Sequence, residues 1–347
     1  MNVGLGVSAG LLRGARTLVD THFRVKPGET VLMTCDTRTD RALVEALMTA
    51  VTLMDAKPVV MLSPQLPFQG TLADPYIAEP CKVATQNCDV WFDLTFPSFI
   101  GSGTYAAAMK QGRVRYMLLG DLGGALERLY GRVDFGRLFE LQSALDAFFA
   151  GFEGEECRMA SPNGTDLTFR IGKPATEKRR VMDKHGSQTP PGSAILFPLE
   201  ETVKGRVVLD AAFDEYYRHL KSPLAMEVDG RIRALTGEGI DVKVMDRALK
   251  RAGSGGEYGF LIHFTYGFHP AATFSGDSFI EDIRAVGSNA IGLGIPWWKP
   301  GGGENHPDGV VTNQSIWLCG QQVVRDGLVV HPPEIARIAS ALEPTFS

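Results

Sequence analysis

The chain has 347 residues, room for two domains at roughly 150 residues each. Its net charge of −5 gives no general pull toward nucleic acid or an anionic membrane surface, so neither partner is expected. No apolar run approaches the roughly 18 residues of a membrane-spanning helix, and Met-Asn-Val-Gly-Leu-Gly at the start lacks the basic and apolar regions of a signal peptide. A cytoplasmic protein is expected. The cysteines are Cys35, Cys81, Cys88, Cys157 and Cys319; none forms a Cys-x-x-Cys pair, and scattered buried thiols are the expectation.

Residues 7–22 carry Leu11, Leu12, Leu18 and Val19 at helical spacing. Lys26-Pro-Gly-Glu reads as a turn and Thr30-Val-Leu-Met-Thr-Cys as a short apolar strand. Residues 40–54 suggest a helix with Ala42, Leu43, Leu47, Val51 and Leu53 inward. Further strands are predicted at Lys57-Pro-Val-Val-Met-Leu, Asp89-Val-Trp-Phe-Asp-Leu and Arg113-Val-Arg-Tyr-Met-Leu-Leu. Buried-looking strands alternating with helices imply a parallel sheet with helical crossovers, so residues 1–155 are expected to form an α/β domain. Gly4, Gly6 and Gly10 follow no strand and lack the spacing of a dinucleotide fingerprint.

From residue 156 to 347 the pattern changes. Asp166-Leu-Thr-Phe-Arg-Ile, Ala194-Ile-Leu-Phe, Gly205-Arg-Val-Val-Leu-Asp and Ala225-Met-Glu-Val-Asp-Gly-Arg-Ile read as strands joined by turns. A helix is predicted over 239–252. Strands follow at Gly259-Phe-Leu-Ile-His-Phe, Ala290-Ile-Gly-Leu-Gly-Ile and Ser315-Ile-Trp-Leu, and Pro332-Pro-Glu opens a last helix. This second domain is expected to be α+β and mainly antiparallel.

Seven histidines are present. His22 and His219 are expected on helices or near their ends, and His331 in a structural role. His263 interrupts an apolar strand, where an imidazole needs partners for both nitrogens; a hydrogen-bonded core histidine and a metal ligand are both open. His306 and Asp308 lie in Glu-Asn-His-Pro-Asp-Gly. Their i, i+2 spacing puts both side chains on one side of an extended backbone. A polar turn would explain them, and so would two corners of a metal site. Two histidines and one aspartate brought together would make a facial triad that leaves positions open on a ferrous ion; zinc could use the same donors.

At these residues the second domain resembles the aminopeptidase T-like metallopeptidase superfamily, and more closely its offshoot, the 2,5-dihydroxypyridine 5,6-dioxygenases. Three stretches carry the resemblance: Pro191-Gly-Ser-Ala-Ile-Leu-Phe-Pro with Gly205-Arg-Val-Val-Leu-Asp, Tyr258-Gly-Phe-Leu-Ile-His-Phe-Thr-Tyr-Gly, and Asn305-His-Pro-Asp. The peptidases carry glutamates after the glycines of the first two stretches. Here Ser193 and Phe260 stand there, which disfavours a two-ion site.

The resemblance implies a non-haem Fe(II) ring-cleaving dioxygenase of the extradiol type, with His263, His306 and Asp308 as ligands. It also implies dioxygen and a small hydroxylated aromatic or N-heterocycle as reactants, and a homo-oligomer. Family pocket histidines are missing near Pro97-Ser-Phe and Gln188-Thr-Pro-Pro, so the substrate is expected to be dihydroxypyridine-like rather than fixed as that compound. His269 is the first choice for a base, with Tyr266 and Glu304 behind it. Ser288, Asn289, His185 and Trp297 are the expected substrate contacts, and Trp297 with Trp298 could form a lid before the glycine run. A metal-dependent aminopeptidase-like hydrolase, with Glu281 or Glu304 as base, is the alternative.

Overall fold

The computed structural model describes residues 6–173, 178–214, 216–253, 257–296, 299, 302 and 305–345. In chain order the first elements are helix α1 (Ala9–Arg16), strand β1 (Thr30–Asp36), α2 (Arg41–Thr52), β2 (Lys57–Ser63), α3 (Glu79–Gln86), β3 (Val90–Asp93), α4 (Gly103–Lys110), β4 (Arg115–Leu118) and α5 (Phe135–Ala150). Next come β5 (Glu156–Ala160), β6 (Asp166–Arg170), β7 (Gly186–Gln188), β8 (Ser193–Leu196), β9 (Lys204–Phe213), β10 (Tyr217–Asp229), β11 (Ile232–Thr236) and α6 (Gly239–Ala252). The chain ends with β12 (Phe260–Gly267), α7 (Phe279–Asp282), β13 (Asn289–Gly294), β14 (Asp308–Val311), β15 (Ser315–Leu318), β16 (Gln321–Arg325), β17 (Leu328–Val329) and α8 (Pro333–Ser340).

Two compact units form. The first holds Met1–Phe135, Lys178–Pro190 and Pro344–Ser347; the second holds Gly136–Glu177 and Pro191–Glu343. The division is not the contiguous one expected at residue 155. Helix α5 belongs to the second unit from Gly136 onward, and residues 178–190 return to the first unit as strand β7.

The first unit is a parallel sheet in the order β2-β1-β3-β4-β7, crossed over by helices. Asp40 caps α2 by accepting from Ala42 N, and Ser102 caps α4 by accepting from Tyr105 N. The core centres on Trp91, fully buried, with Tyr116 edge-on at 4.8 Å and Phe99 at 5.4 Å. Trp91 Nε1 donates to Thr34 Oγ1, which donates to the buried Asp93; Thr95 Oγ1, Phe99 N and Tyr116 OH complete that carboxylate's shell. A buried carboxylate with this many donors needs no cation to satisfy it.

The second unit is built on a long antiparallel sheet, β17-β16-β15-β5-β6-β9-β14-β13-β12-β8, with the β10–β11 hairpin attached to β9. The predicted strand over residues 225–232 is this hairpin: the chain turns at Gly230, whose φ of +68° is a left-handed backbone that suits glycine. His219 lies in β10, not on or near a helix, and pairs with Ala211. Among the described residues no helix is long and apolar enough to cross a membrane.

Candidate metal centre

Strands β12, β13 and β14 lie side by side, and their register fixes the site. His263 pairs with Gly292, Gly292 with Asp308, and Asp308 with Phe213 of β9. Directly opposed residues in an antiparallel sheet point to the same face. A bulge between Leu261 and His263 adjusts the register just before the histidine, a place where bulges re-aim a side chain. His306 precedes β14 by two residues. Leu293 N donates to Pro307 O at 2.9 Å, so the ladder continues past the strand's formal start and holds His306 and Asp308 on one side. Asn305, buried, donates through Nδ2 to Ala248 O and ties the same segment to α6.

The three side chains converge. His263 Nε2 lies 3.1 Å from His306 Nε2, His263 Nε2 lies 3.6 Å from Asp308 Oδ1, and His306 Nε2 lies 3.8 Å from Asp308 Oδ2. They form a group of ligand-type atoms all within 4.8 Å of one another. Two imidazole nitrogens bound at right angles to one ion, each about 2.1 Å from it, would stand about 3.0 Å apart. The observed spacing fits that requirement.

Electrostatics point the same way. Burial, followed by the neighbouring His306, pushes the His263 pKa down to about 3, and burial pushes His306 down to about 4. Burial also raises Asp308 well above the usual carboxylate range. Two neutral imidazoles and a buried acid, their lone pairs facing one point, are what a divalent cation would relieve.

The surroundings fit an ion as well. A Cβ on Gly292 would fall closer than 3.0 Å to His263 Nε2 and Cδ2 and to His306 Cε1. Behind His263, Thr265 Oγ1 lies 3.2 Å from Nδ1, and the Ala290 backbone also bonds the ring. With the Thr265 hydroxyl at Nδ1 on the side away from the triad, Nε2 is the nitrogen that faces the site. The Phe197 ring stands edge-on to His263, 6.3 Å between centroids.

Other expected residues lie elsewhere. Tyr266, three positions after His263, occupies the opposite face of β12, and its hydroxyl donates to Gly327 O at 2.8 Å. His269 is fully buried beyond the strand. Its Nδ1 accepts from Ala271 N, and its ring packs where a Gly192 side chain would be. Asn289 alternates to the face opposite Gly292 and donates to Gln314 Oε1; the Ser288 carbonyl accepts from Gly267 N and Gln314 Nε2. Glu281 is buried and accepts from Thr273 N and Oγ1. His185 is exposed in the first unit. Glu304, Trp297 and Trp298 lie outside the described residues.

The two positions where the resemblance places peptidase glutamates supply no carboxylate. Ser193 opens β8, and Phe260 is buried with the guanidinium of Arg231 and the ammonium of Lys299 each over its ring, 4.7 and 5.0 Å from the centroid. Sequence reasoning missed Gly292, Thr265 and Ala290. The available signal for Gly292 was a glycine inside a buried strand, which often marks close approach of a ligand.

Comparison with known proteins identifies the family and the fold. A family model described as NicX, 2,5-dihydroxypyridine 5,6-dioxygenase, matches residues 19–331. The solved 2,5-dihydroxypyridine dioxygenase from Pseudomonas putida KT2440 superposes with a TM-score of 0.72 at 20% identity, covering 94% of this chain and 98% of that one. AmpT from Thermus thermophilus superposes with a TM-score of 0.66 at 12% identity, covering 92% of this chain and 99% of that one. A search of curated proteins finds no match.

Proposed function

Because the chain belongs to the 2,5-dihydroxypyridine 5,6-dioxygenase family, we propose that it opens the ring of a dihydroxypyridine, or of a closely related hydroxylated N-heterocycle, with one ferrous ion held by His263, His306 and Asp308. The observation that carries this reading is the meeting of His263 Nε2, His306 Nε2 and the Asp308 carboxylate beside a glycine. A ferrous ion there would supply Lewis acidity toward a ring hydroxyl and one-electron chemistry toward dioxygen.

The chain's own residues set the conditions. Two neutral imidazoles and one carboxylate contribute a single negative charge, so a dication in their grip leaves one positive charge uncompensated. That balance favours a ring oxygen bound as its anion. The Thr265 hydroxyl at Nδ1 and the Ala290 backbone steady the His263 ring with its Nε2 toward the other two side chains. The Phe197 edge beside His263 offers an apolar contact suited to a flat ring.

The test is metal analysis with oxygen uptake. One iron per chain, with oxygen consumed in step with loss of 2,5-dihydroxypyridine or a related diol, supports the reading. Zinc with peptide cleavage and no oxygen uptake would overturn it in favour of a hydrolase. His306→Ala should abolish both iron retention and oxygen uptake.

A further inference from the structure

We propose that Gly292 is a positioning residue of this centre: by carrying no side chain, it makes the space in which the ion sits and lets both imidazoles turn inward. The inference rests on the metal-site reading above and extends it to a residue that donates no ligand atom.

Nothing in the backbone asks for glycine at this position. Gly292 is absent from the residues with positive φ, whereas Gly294, two residues on in the same strand, has φ +113°. Any L-residue could follow the chain there. A glycine in a buried strand also costs stability relative to alanine, because its unfolded chain has more conformations to lose. Space is the remaining requirement. Gly292 is the middle of the row His263–Gly292–Asp308, so its missing side chain would rise between two ligands. The atoms a Cβ would meet first are His263 Nε2 and Cδ2 and His306 Cε1, the working ends of both imidazoles.

Those ends are mobile in principle, and this separates folding from metal binding. With a methyl group at 292 the rings can swing aside, so the fold should survive. They cannot swing aside and still bring both Nε2 atoms to one ion beside Asp308.

The experiment titrates metal-free wild type and Gly292→Ala with cobalt(II), and anaerobically with ferrous ion, following cobalt's visible absorption and calorimetric heat. Far-ultraviolet circular dichroism and the metal-free unfolding midpoint are recorded alongside. The expected result is a variant with the wild-type dichroism spectrum and cobalt binding weaker by on the order of 100-fold or more. Should the metal-free midpoint fall, adding Gly292→Ala to a His263→Ala/His306→Ala protein should lower it no further, because both crowded rings are gone. Wild-type affinity and an unchanged cobalt spectrum in Gly292→Ala would overturn the inference while leaving the triad intact. A midpoint that Gly292→Ala lowers equally in the His263→Ala/His306→Ala background would also overturn it, since the strand itself would then be rejecting a side chain. If wild type binds neither ion, the metal-site reading falls and this inference with it.

Discussion

Thr265 Oγ1 sits 3.2 Å from Nδ1 of His263, two residues along the same face of β12. The hydroxyl therefore steadies the ring from the side away from the triad. Thr265→Val keeps the β-branched shape and removes the polar contact. Loss of such a partner typically weakens metal affinity by roughly 10–100-fold. Cobalt titration should show a weakening in that range for Thr265→Val and recovery in Thr265→Ser. Equal affinity in all three proteins would mean that the Ala290 backbone alone orients the ring.

Tyr266 offers the opposite test. It stands behind His269 as a candidate base in the sequence, but its hydroxyl is buried against Gly327 O and burial raises its pKa. Tyr266→Phe leaves that carbonyl without its donor, at a cost of about 1–3 kcal/mol. We expect a lower urea midpoint with kcat within about twofold of wild type. A general base would instead show a loss of about 100-fold or more.

Metal binding should be visible as stability. A ligand at 100 times its Kd that binds only the folded state stabilises by about 2.7 kcal/mol. For a unit of this size that corresponds to roughly 5–10 °C in the midpoint. Ferrous ion added anaerobically should raise the unfolding temperature of the chelator-treated protein by that order. In His306→Ala the shift should vanish, because two remaining donors cannot fix the ion. A shift that persists in His306→Ala would place the stabilising ion elsewhere.

The sequence carried the architecture because strand and helix periods are local. Buried runs such as Val31–Cys35 and the helical spacing of Leu43, Leu47 and Val51 depend on near neighbours, and the structure has a strand and a helix there; Leu53, expected inward, is exposed at the helix C-cap, beyond the last helical residue. His306 and Asp308 were legible for the same reason, since i, i+2 spacing on an extended chain is itself local. Gly292 was not, because its meaning depends on which strands flank it, and register is set by long-range pairing. The same limit hid strand β7, a segment of three residues that joins the first sheet only because the chain doubles back to it. His219 was misassigned because Tyr-Tyr-Arg-His-Leu has no period that excludes a helix; its pairing with β9 decides for a strand.

His22 makes the first unit acid-sensitive independently of any metal. It is fully buried, its Nε2 donates to Arg179 O at 3.0 Å, and its Nδ1 accepts from Tyr130 OH at 3.1 Å. Both nitrogens are thus satisfied in the neutral ring, and burial pushes the pKa from 6.5 to about 3. The unfolded chain binds a proton near pH 6.5 while the folded chain refuses it until about pH 3. Stability from this residue is therefore whole above pH 6.5 and falls as the pH drops between those values, by up to about 1.4 kcal/mol for each pH unit. Asp93 acts in the other direction, because burial raises its pKa and the folded state takes up a proton before the unfolded state does. Comparing wild type with His22→Gln cancels that contribution. Hydrogen-exchange protection factors in β1 and β3, corrected for the intrinsic pH dependence of exchange, should fall on acidification more steeply in wild type than in His22→Gln. Identical pH dependence in the two proteins would show that the imidazole is protonated in the fold and that the Tyr130–His22–Arg179 chain does not hold it neutral.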